Sequence, residues 1–395
     1  MYTVRYSKKG DIFVVQIIKS SLNMCETVSL AVTRVIMHFD LDYFFAQCEE
    51  RANPDLKEKP LVVCVYSGRT EDSGAVSTAN YIARKYGVKS GIPIAFAKRL
   101  LKETNAVFLP VNFELYKPVS NNIMKILQVH GENFEQWGID EAFIEVTQKV
   151  KGSFEMAEKL AQRIKNEILA KEKLTCSVGI GPNKLIAKIA SDMQKPDGIT
   201  VVKPDQVENF LYLLPVSKLV WVGRKTEKML NRLGIKTVGE LAKVKPERLV
   251  ETFGKKFGVY LYKAAKGIDE TPVKQRKEIK SLSKISTLKQ NTRDLNVILD
   301  VAYRLCEKIH SKLQQHGFTF RLVGVLTVME NMHTYSRSKS LSNPTNDLEV
   351  LKGNAKELFE RLLNEISELE VRRAGVRVAS LSKKLKKQKQ LTEFA

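Results

Sequence analysis

No apolar run in this chain of 395 residues approaches the roughly 18 residues that a bilayer span requires, and stretches such as "IFVVQII" are far too short. No cleavage-site pattern follows that run either, so the reading is of a cytoplasmic protein with no membrane contact. Cysteine is sparse. Cys25, Cys48, Cys64, Cys176 and Cys306 are odd in number, scattered and free of C-x-x-C spacing, which supports neither a disulfide framework nor a zinc site. Acidic residues are outnumbered, with 44 Asp+Glu against 65 Lys+Arg, a net charge of +21. Such an excess costs self-repulsion in the compact state and is usually balanced by a polyanionic partner. It is concentrated near the end of the chain, where residues 271–395 hold 24 Lys+Arg and 13 Asp+Glu.

At this length one hydrophobic core is not expected to suffice, and about two to four domains are. The segment "VIMHFDLDYFFAQCEE" reads as a strand over Val35 to Phe39, with Asp40 and Asp42 at its end, running into a helix. "PLVVCVYSG" and "GAVSTANYIARKYGV" add a strand and a strand-to-helix unit in which Tyr81 and Arg84, three apart, share a face. An amphipathic helix precedes "WGIDEAFIEV", and a helix, a strand ("LTCSVGIG") and a helix opened by Asn183 follow it. Residues 201–267 become short helices punctuated by glycine. They resemble helix-hairpin-helix units that offer backbone N–H groups to phosphate, although Trp221 stands where the first turn glycine is expected and only Gly223 remains. Beyond a polar basic linker the order is β-α-β-β-α-β. Its strands carry Arg321, Arg337, Lys339, Arg372, Arg373 and Arg377, which suggests a basic sheet face.

In "WGIDEAFIEV" Asp140 and Glu141 are adjacent in an otherwise apolar strand, where alternation threatens to bury one charge. Either one carboxylate looks into solvent, or both stand at the strand's irregular start and share a cation. Together with Asp40 and Asp42 they form a set of acids at strand edges, with no His or Cys expected nearby. Such a set suits hard, oxygen-seeking cations such as Mg2+. In a basic protein that points to two-metal phosphoryl transfer.

The segments from "FDLDYFFAQCEE" to "GIPIAFAKRL", with "GIDEAFIEV" and "SVGIGPNKLIAKIASDMQKPDGI", resemble archaeal Y-family DNA polymerases of the polymerase IV type, which bypass damaged template bases. The resemblance covers about residues 35 to 380. It implies an α+β right-hand fold: palm at 35–43 and 112–200, small fingers at 44–111, helical thumb at 201–267, linker at 268–280 and little finger at 281–380. It further implies low-fidelity, template-directed synthesis by a monomer acting on primer-template DNA and dNTP, with two Mg2+ ions. Asp40, Asp140, Glu141 and the Leu41 carbonyl would hold the ions. Phe44, Phe45, Thr78, Tyr81, Arg84 and Lys195 would meet the nucleotide, Phe45 acting as the gate against a ribose 2′-hydroxyl. Val65, Ala75 and Gly91 would roof the templating base, and Gly223, Arg337 and Arg372 are expected to touch DNA.

The first 34 residues have no counterpart in the resemblance and receive no role. Residues 381–395 form a basic tail ending in "QKQLTEFA", where Gln388, Leu391 and Phe394 reproduce the peptide that docks on sliding clamps of the PCNA type. Two other readings remain. One is a nucleotidyl cyclase, which also uses paired acids on a palm-like hairpin; the other is a clamp-tethered DNA-binding scaffold without activity. The helical hairpins, basic terminal unit and clamp peptide disfavour the first, and the clustered acids disfavour the second.

Overall fold

The computed structural model describes residues 2–9, 12–19, 25–30, 33–275, 279–366 and 368–383, the first three of these stretches by backbone alone. Strands β1 (Tyr2–Lys9), β2 (Ile12–Lys19) and β3 (Cys25–Leu30) form an antiparallel meander, with Thr3 opposite Ile18 and Val15 opposite Val28. The segment to which the sequence assigns no role is thus built as three strands.

The next stretch runs β4 (Ile36–Leu41), α1 (Phe44–Ala52), β5 (Leu61–Tyr66), β6 (Gly74–Ala79), α2 (Tyr81–Lys85), α3 (Ile94–Leu100), β7 (Val107–Pro110) and α4 (Phe113–His130). It continues through β8 (Asn133–Gln136), β9 (Glu141–Glu145), α5 (Phe154–Glu172), β10 (Cys176–Gly181), α6 (Lys184–Ser191) and β11 (Ile199–Val201). Five of these strands form one sheet in the order β11-β10-β4-β9-β8. Alternation along β4 sends Met37, Phe39 and Leu41 into a core shared with α4 and α5, while Ile36 packs with Phe143 and Ala187 on the other face. Each such fully buried aliphatic contributes about 1.5–3 kcal/mol. Helix α6 lies so close on β10 that a Cβ at Gly179 would stand 1.9 Å from the Ala187 carbonyl, so glycine is required there. A smaller sheet, β6-β5-β7, packs with α2 and α3 around its own core, which includes Val62, Val76 and Ile94.

Five short helices follow: α7 (Val207–Tyr212), α8 (Arg224–Arg232), α9 (Val238–Ala242), α10 (Pro246–Phe253) and α11 (Lys255–Ala265). The end of this helical unit is tied to α6, since Asn183 caps α6 through Ile186 N and donates to the Gly267 carbonyl at 2.7 Å.

The last unit has the expected order: β12 (Ser281–Thr292), α12 (Leu295–His316), β13 (Phe318–Met329), β14 (Thr334–Thr345), α13 (Leu348–Glu365) and β15 (Val371–Ala379), with a short β16 (Ser382–Lys383) beside β13. One expectation is corrected here. Arg337 is paired with Val325 and bonds Glu365 of α13, and Lys339 reaches Glu357 of the same helix. Both therefore sit on the helix-covered side, whereas Arg377 lies opposite Gly324 on the other face. Tyr335 and Leu341, partly buried in the core, share the parity of Arg337 and fix that face.

One side chain joins the small sheet to this unit. Arg69, in the turn between β5 and β6, donates to the Leu288 carbonyl (2.6 Å), Asn291 Oδ1 (2.8 Å) and the Arg372 carbonyl (3.4 Å).

Candidate active site

Strand β4 extends two residues further than the apolar run suggests, so Asp40 lies within it and faces Glu141 across the β4–β9 pair. Asp140 stands just before β9, and its carbonyl accepts from Leu41 N at 2.9 Å. The sheet thus brings together acids that are 100 residues apart in the chain, as expected. Asp42 is different. Buried at the end of β4, it accepts from Ser177 Oγ (2.7 Å), Thr175 Oγ1 (2.9 Å) and Asp197 N (2.9 Å), a structural hub whose oxygens are already engaged.

The surroundings of the acids correct a second expectation, that no histidine would lie near. His38 is fully buried on the same strand face, and its Nε2 is 3.2 Å from Glu141 Oε2, in contact but outside hydrogen-bond alignment. One ligand atom each from His38, Asp40 and Glu141 lie within 4.8 Å of one another. The Ser191 hydroxyl donates to the Lys188 carbonyl and sits 2.8 Å from His38 Nδ1, so it is placed to accept the imidazole proton there. Burial lowers the His38 pKa and keeps the ring neutral.

Two lysines complete the set. Lys195 Nζ is 2.8 Å from Asp40 Oδ1 and 2.7 Å from Asp192 Oδ1, and Lys188 pairs with Glu141. Burial opposes the Lys195 charge, but the two aspartates outweigh it and raise its pKa. Burial would also raise Glu141, yet the Lys188 ammonium paired with it holds it down to about 2. Asp140 has no such partner: burial first, then the charges of Asp40 and Glu141, push it up to about 6. Asp40 is raised by burial, with Lys195 pulling against that. A carboxylate cluster that recruits two ammonium groups is a ready seat for divalent cations, and one imidazole beside it suits Mn2+ as well as Mg2+.

A cavity of about 280 Å3 opens on Asp40, Leu41 and Asp140. It is lined by all the expected nucleotide residues, Phe44, Phe45, Thr78, Tyr81, Arg84 and Lys195. The Arg84 guanidinium lies 4.8 Å from the Tyr81 ring centre, as their spacing predicts, and the Tyr81 hydroxyl is buried without a hydrogen-bond partner. Such an orphan is costly unless a ligand supplies the bond. Phe45 stacks on Tyr116 at 4.5 Å, which fixes its ring at the rim. Glu141 is not part of the cavity lining, being turned toward Lys188.

Val65 and Ala75 are register partners, and Gly91 N donates to the Val76 carbonyl, so the three expected roof residues are neighbours on the small sheet. Gly223 caps the start of α8 with open space around it. Arg372, in β15, accepts from Arg69 through its carbonyl, while Arg337 is engaged with Glu365. Gln388, Leu391 and Phe394 lie outside the described residues. Sequence reasoning overlooked His38, although it stands two positions before Asp40 and so on its face, and Lys188, whose place depends on how α6 packs.

Three segments of the chain match family profiles: residues 39–192 the impB/mucB/samB family, 279–392 that family's C-terminal domain, and 218–269 the DNA polymerase-iota thumb domain. The DNA polymerase IV of Nitrosopumilus maritimus is 46% identical over 351 residues, covering 89% of this chain and 96% of the relative. That of Methanosarcina acetivorans is 47% identical over 357 residues, covering 89% and 97%. Among solved structures, a Y-family DNA polymerase chimera, Dbh-Dpo4(243-245)-Dbh, superimposes with a TM-score of 0.83 at 38% identity, over 89% of this chain and all of that one. An insertion ternary complex of Dbh DNA polymerase, with the same identity and coverage, gives 0.63. Likeness of this order, running through nearly the whole length of each relative, makes the chain a member of the impB/mucB/samB family and a Y-family DNA polymerase.

Proposed function

We propose that this polymerase joins a dNTP to a primer 3′-hydroxyl on a DNA template, damaged templates included, with Asp40, Asp140 and Glu141 as its catalytic acids. The observation that carries the assignment is the pairing of Asp40 with Glu141 across β4 and β9, with Asp140 opening on the same cavity as Phe45, Tyr81 and Arg84. Two Mg2+ ions held by these acids and the Leu41 carbonyl would supply Lewis acidity to the primer hydroxyl and charge neutralisation to the departing pyrophosphate.

The chain's own groups do the rest. Arg84 and the Tyr81 hydroxyl hold the triphosphate, with Thr78 at the same wall. Lys195 exchanges Asp40 for a phosphate oxygen when the nucleotide enters, which keeps its charge paired throughout. Phe45, braced by Tyr116, fills the space that a 2′-hydroxyl needs. Val65, Ala75 and Gly91 present little bulk to the templating base, so distorted bases are accommodated and mismatches are weakly penalised. Gly223 offers backbone N–H groups to the primer strand, with Arg372 contributing from the little finger. The domain limits given above are the proposed divisions, and the tail peptide Gln388, Leu391 and Phe394 is proposed to dock on a PCNA-type clamp.

The test is incubation with primed template and one deoxynucleotide at a time, with Mg2+ or EDTA. Template-dictated extension that EDTA abolishes supports the assignment; a cyclic nucleotide product, or binding without turnover, sinks it. For the tail, deletion of residues 388–395 should abolish stimulation by clamp and leave basal extension intact.

A further inference from the structure

The hairpin turn before α8 holds a residue that its backbone does not favour. Trp221 sits in the left-handed region at φ +67° with 64% of its surface exposed, where a glycine would carry no strain. Its ring is 5.7 Å from that of Trp137, on the hairpin that carries Asp140 and Glu141. Trp137 is held firmly: its backbone N–H donates to the Glu141 carbonyl at 3.0 Å, its ring meets Phe143 edge-on at 5.4 Å, and the Lys184 ammonium lies 5.2 Å from its ring centre. The pair lines a cavity of about 720 Å3 between sheet and thumb, with Lys188, Lys256 and Tyr260 among its walls. Lys188, which pairs with Glu141, stands in the wall of this cavity, whereas Asp40 and Asp140 stand in the wall of the nucleotide cavity. A primer whose 3′ end reaches them from the side away from the incoming nucleotide passes the indoles.

We propose that Trp221 is a positioning residue for the primer strand: it takes the sugar and base edges of the primer end against its exposed face and, through Trp137, ties the thumb to the hairpin bearing Asp140 and Glu141. Indole faces suit this because apolar contact with a sugar is insensitive to base sequence. The proposal rests on the assignment of Asp140 and Glu141 as catalytic acids, but it is read first without chemistry. The chain contains two tryptophans and 12 tyrosines, so fluorescence excited at the red edge, where tyrosine does not absorb, reports on this pair alone.

In the full-length protein with EDTA present, a dideoxy-terminated primer-template should quench or shift the emission of the parent and of W137F, in which Trp221 alone emits. The unprimed template strand should do less. In extension assays W221G should lower the maximal rate about tenfold with the dNTP KM nearly unchanged, the pattern of a misaligned primer end, and W221F should recover most of it. Thermal melts of each variant accompany the rates. Emission from W137F that ignores primed DNA overturns the proposal whatever the activity does. So does W221G extending at the parental rate, or W221F failing to improve on W221G when both melt with the parent.

Discussion

His38 stands behind Glu141, with Nε2 3.2 Å from the carboxylate and the opposite ring nitrogen facing the Ser191 hydroxyl. A neutral, fully buried imidazole in that place fixes where Glu141 can turn. Removing it in H38L should weaken metal activation about tenfold, the usual scale for groups that orient metal-binding carboxylates. Rates measured against Mg2+ and Mn2+ concentration check this; an unchanged half-saturation for both metals would count against it.

Asp140 carries a charge that the metal-free protein pays to keep. Its folded pKa of about 6 lies above the ordinary 3.8, so ionisation costs stability, fully so above pH 6 and not at all below about 4. Glu141 behaves oppositely: at about 2 in the fold it stabilises above pH 4.5, and that contribution disappears as the pH falls through 2. D140N should therefore stabilise the metal-free protein at pH 7.5 by an amount on the order of 1–2 kcal/mol after allowing for coupling to its neighbours, seen as a higher melting temperature, while abolishing extension. Calorimetry in EDTA reads the first effect, and a variant that melts below the parent would contradict it.

Phe45 is held by its stack on Tyr116 rather than by deep burial, so it can be cut back without opening the core. F45A should raise the incorporation of ribonucleotides relative to deoxyribonucleotides by at least about tenfold, at a cost of about 1 kcal/mol for the lost ring contact. Paired single-nucleotide extensions with rNTP and dNTP decide the matter.

The roof is better probed at Val65 than at Gly91. Gly91 has φ +85°, so any side chain there strains the backbone even though the space is open. Val65 is 51% exposed and lies in an ordinary strand. V65W should depress extension past a bulky template lesion several-fold more than extension on undamaged DNA. Equal losses on the two templates would remove Val65 from the roof.

That Asp40, Asp42, Asp140 and Glu141 stand at strand ends was legible because alternation is a local property and adjacent acids are expensive enough to demand a reason; that Asp42 is spent on Ser177, Thr175 and Asp197 was not, because those partners come from distant segments. The β-α-β-β-α-β order was legible for the same cause. The facing of Arg337 was not read correctly: alternation gives the two parities of a strand but not which parity meets the helices, although Tyr335 and Leu341 carried that information. Lys188 and Arg69 are placed by packing between distant segments, as when Arg69 reaches Leu288, and no local pattern announces such contacts.

The Arg69 clasp lies in the loop joining the strand of Val65 to the strand of Ala75. Whatever lifts that loop must stretch three bonds anchored in the module farthest along the chain. On the proposed roof assignment, a misshapen template base pressing on that loop would load the three bonds to Leu288, Asn291 and Arg372, and accommodation of damage would become a matter of how two units yield together.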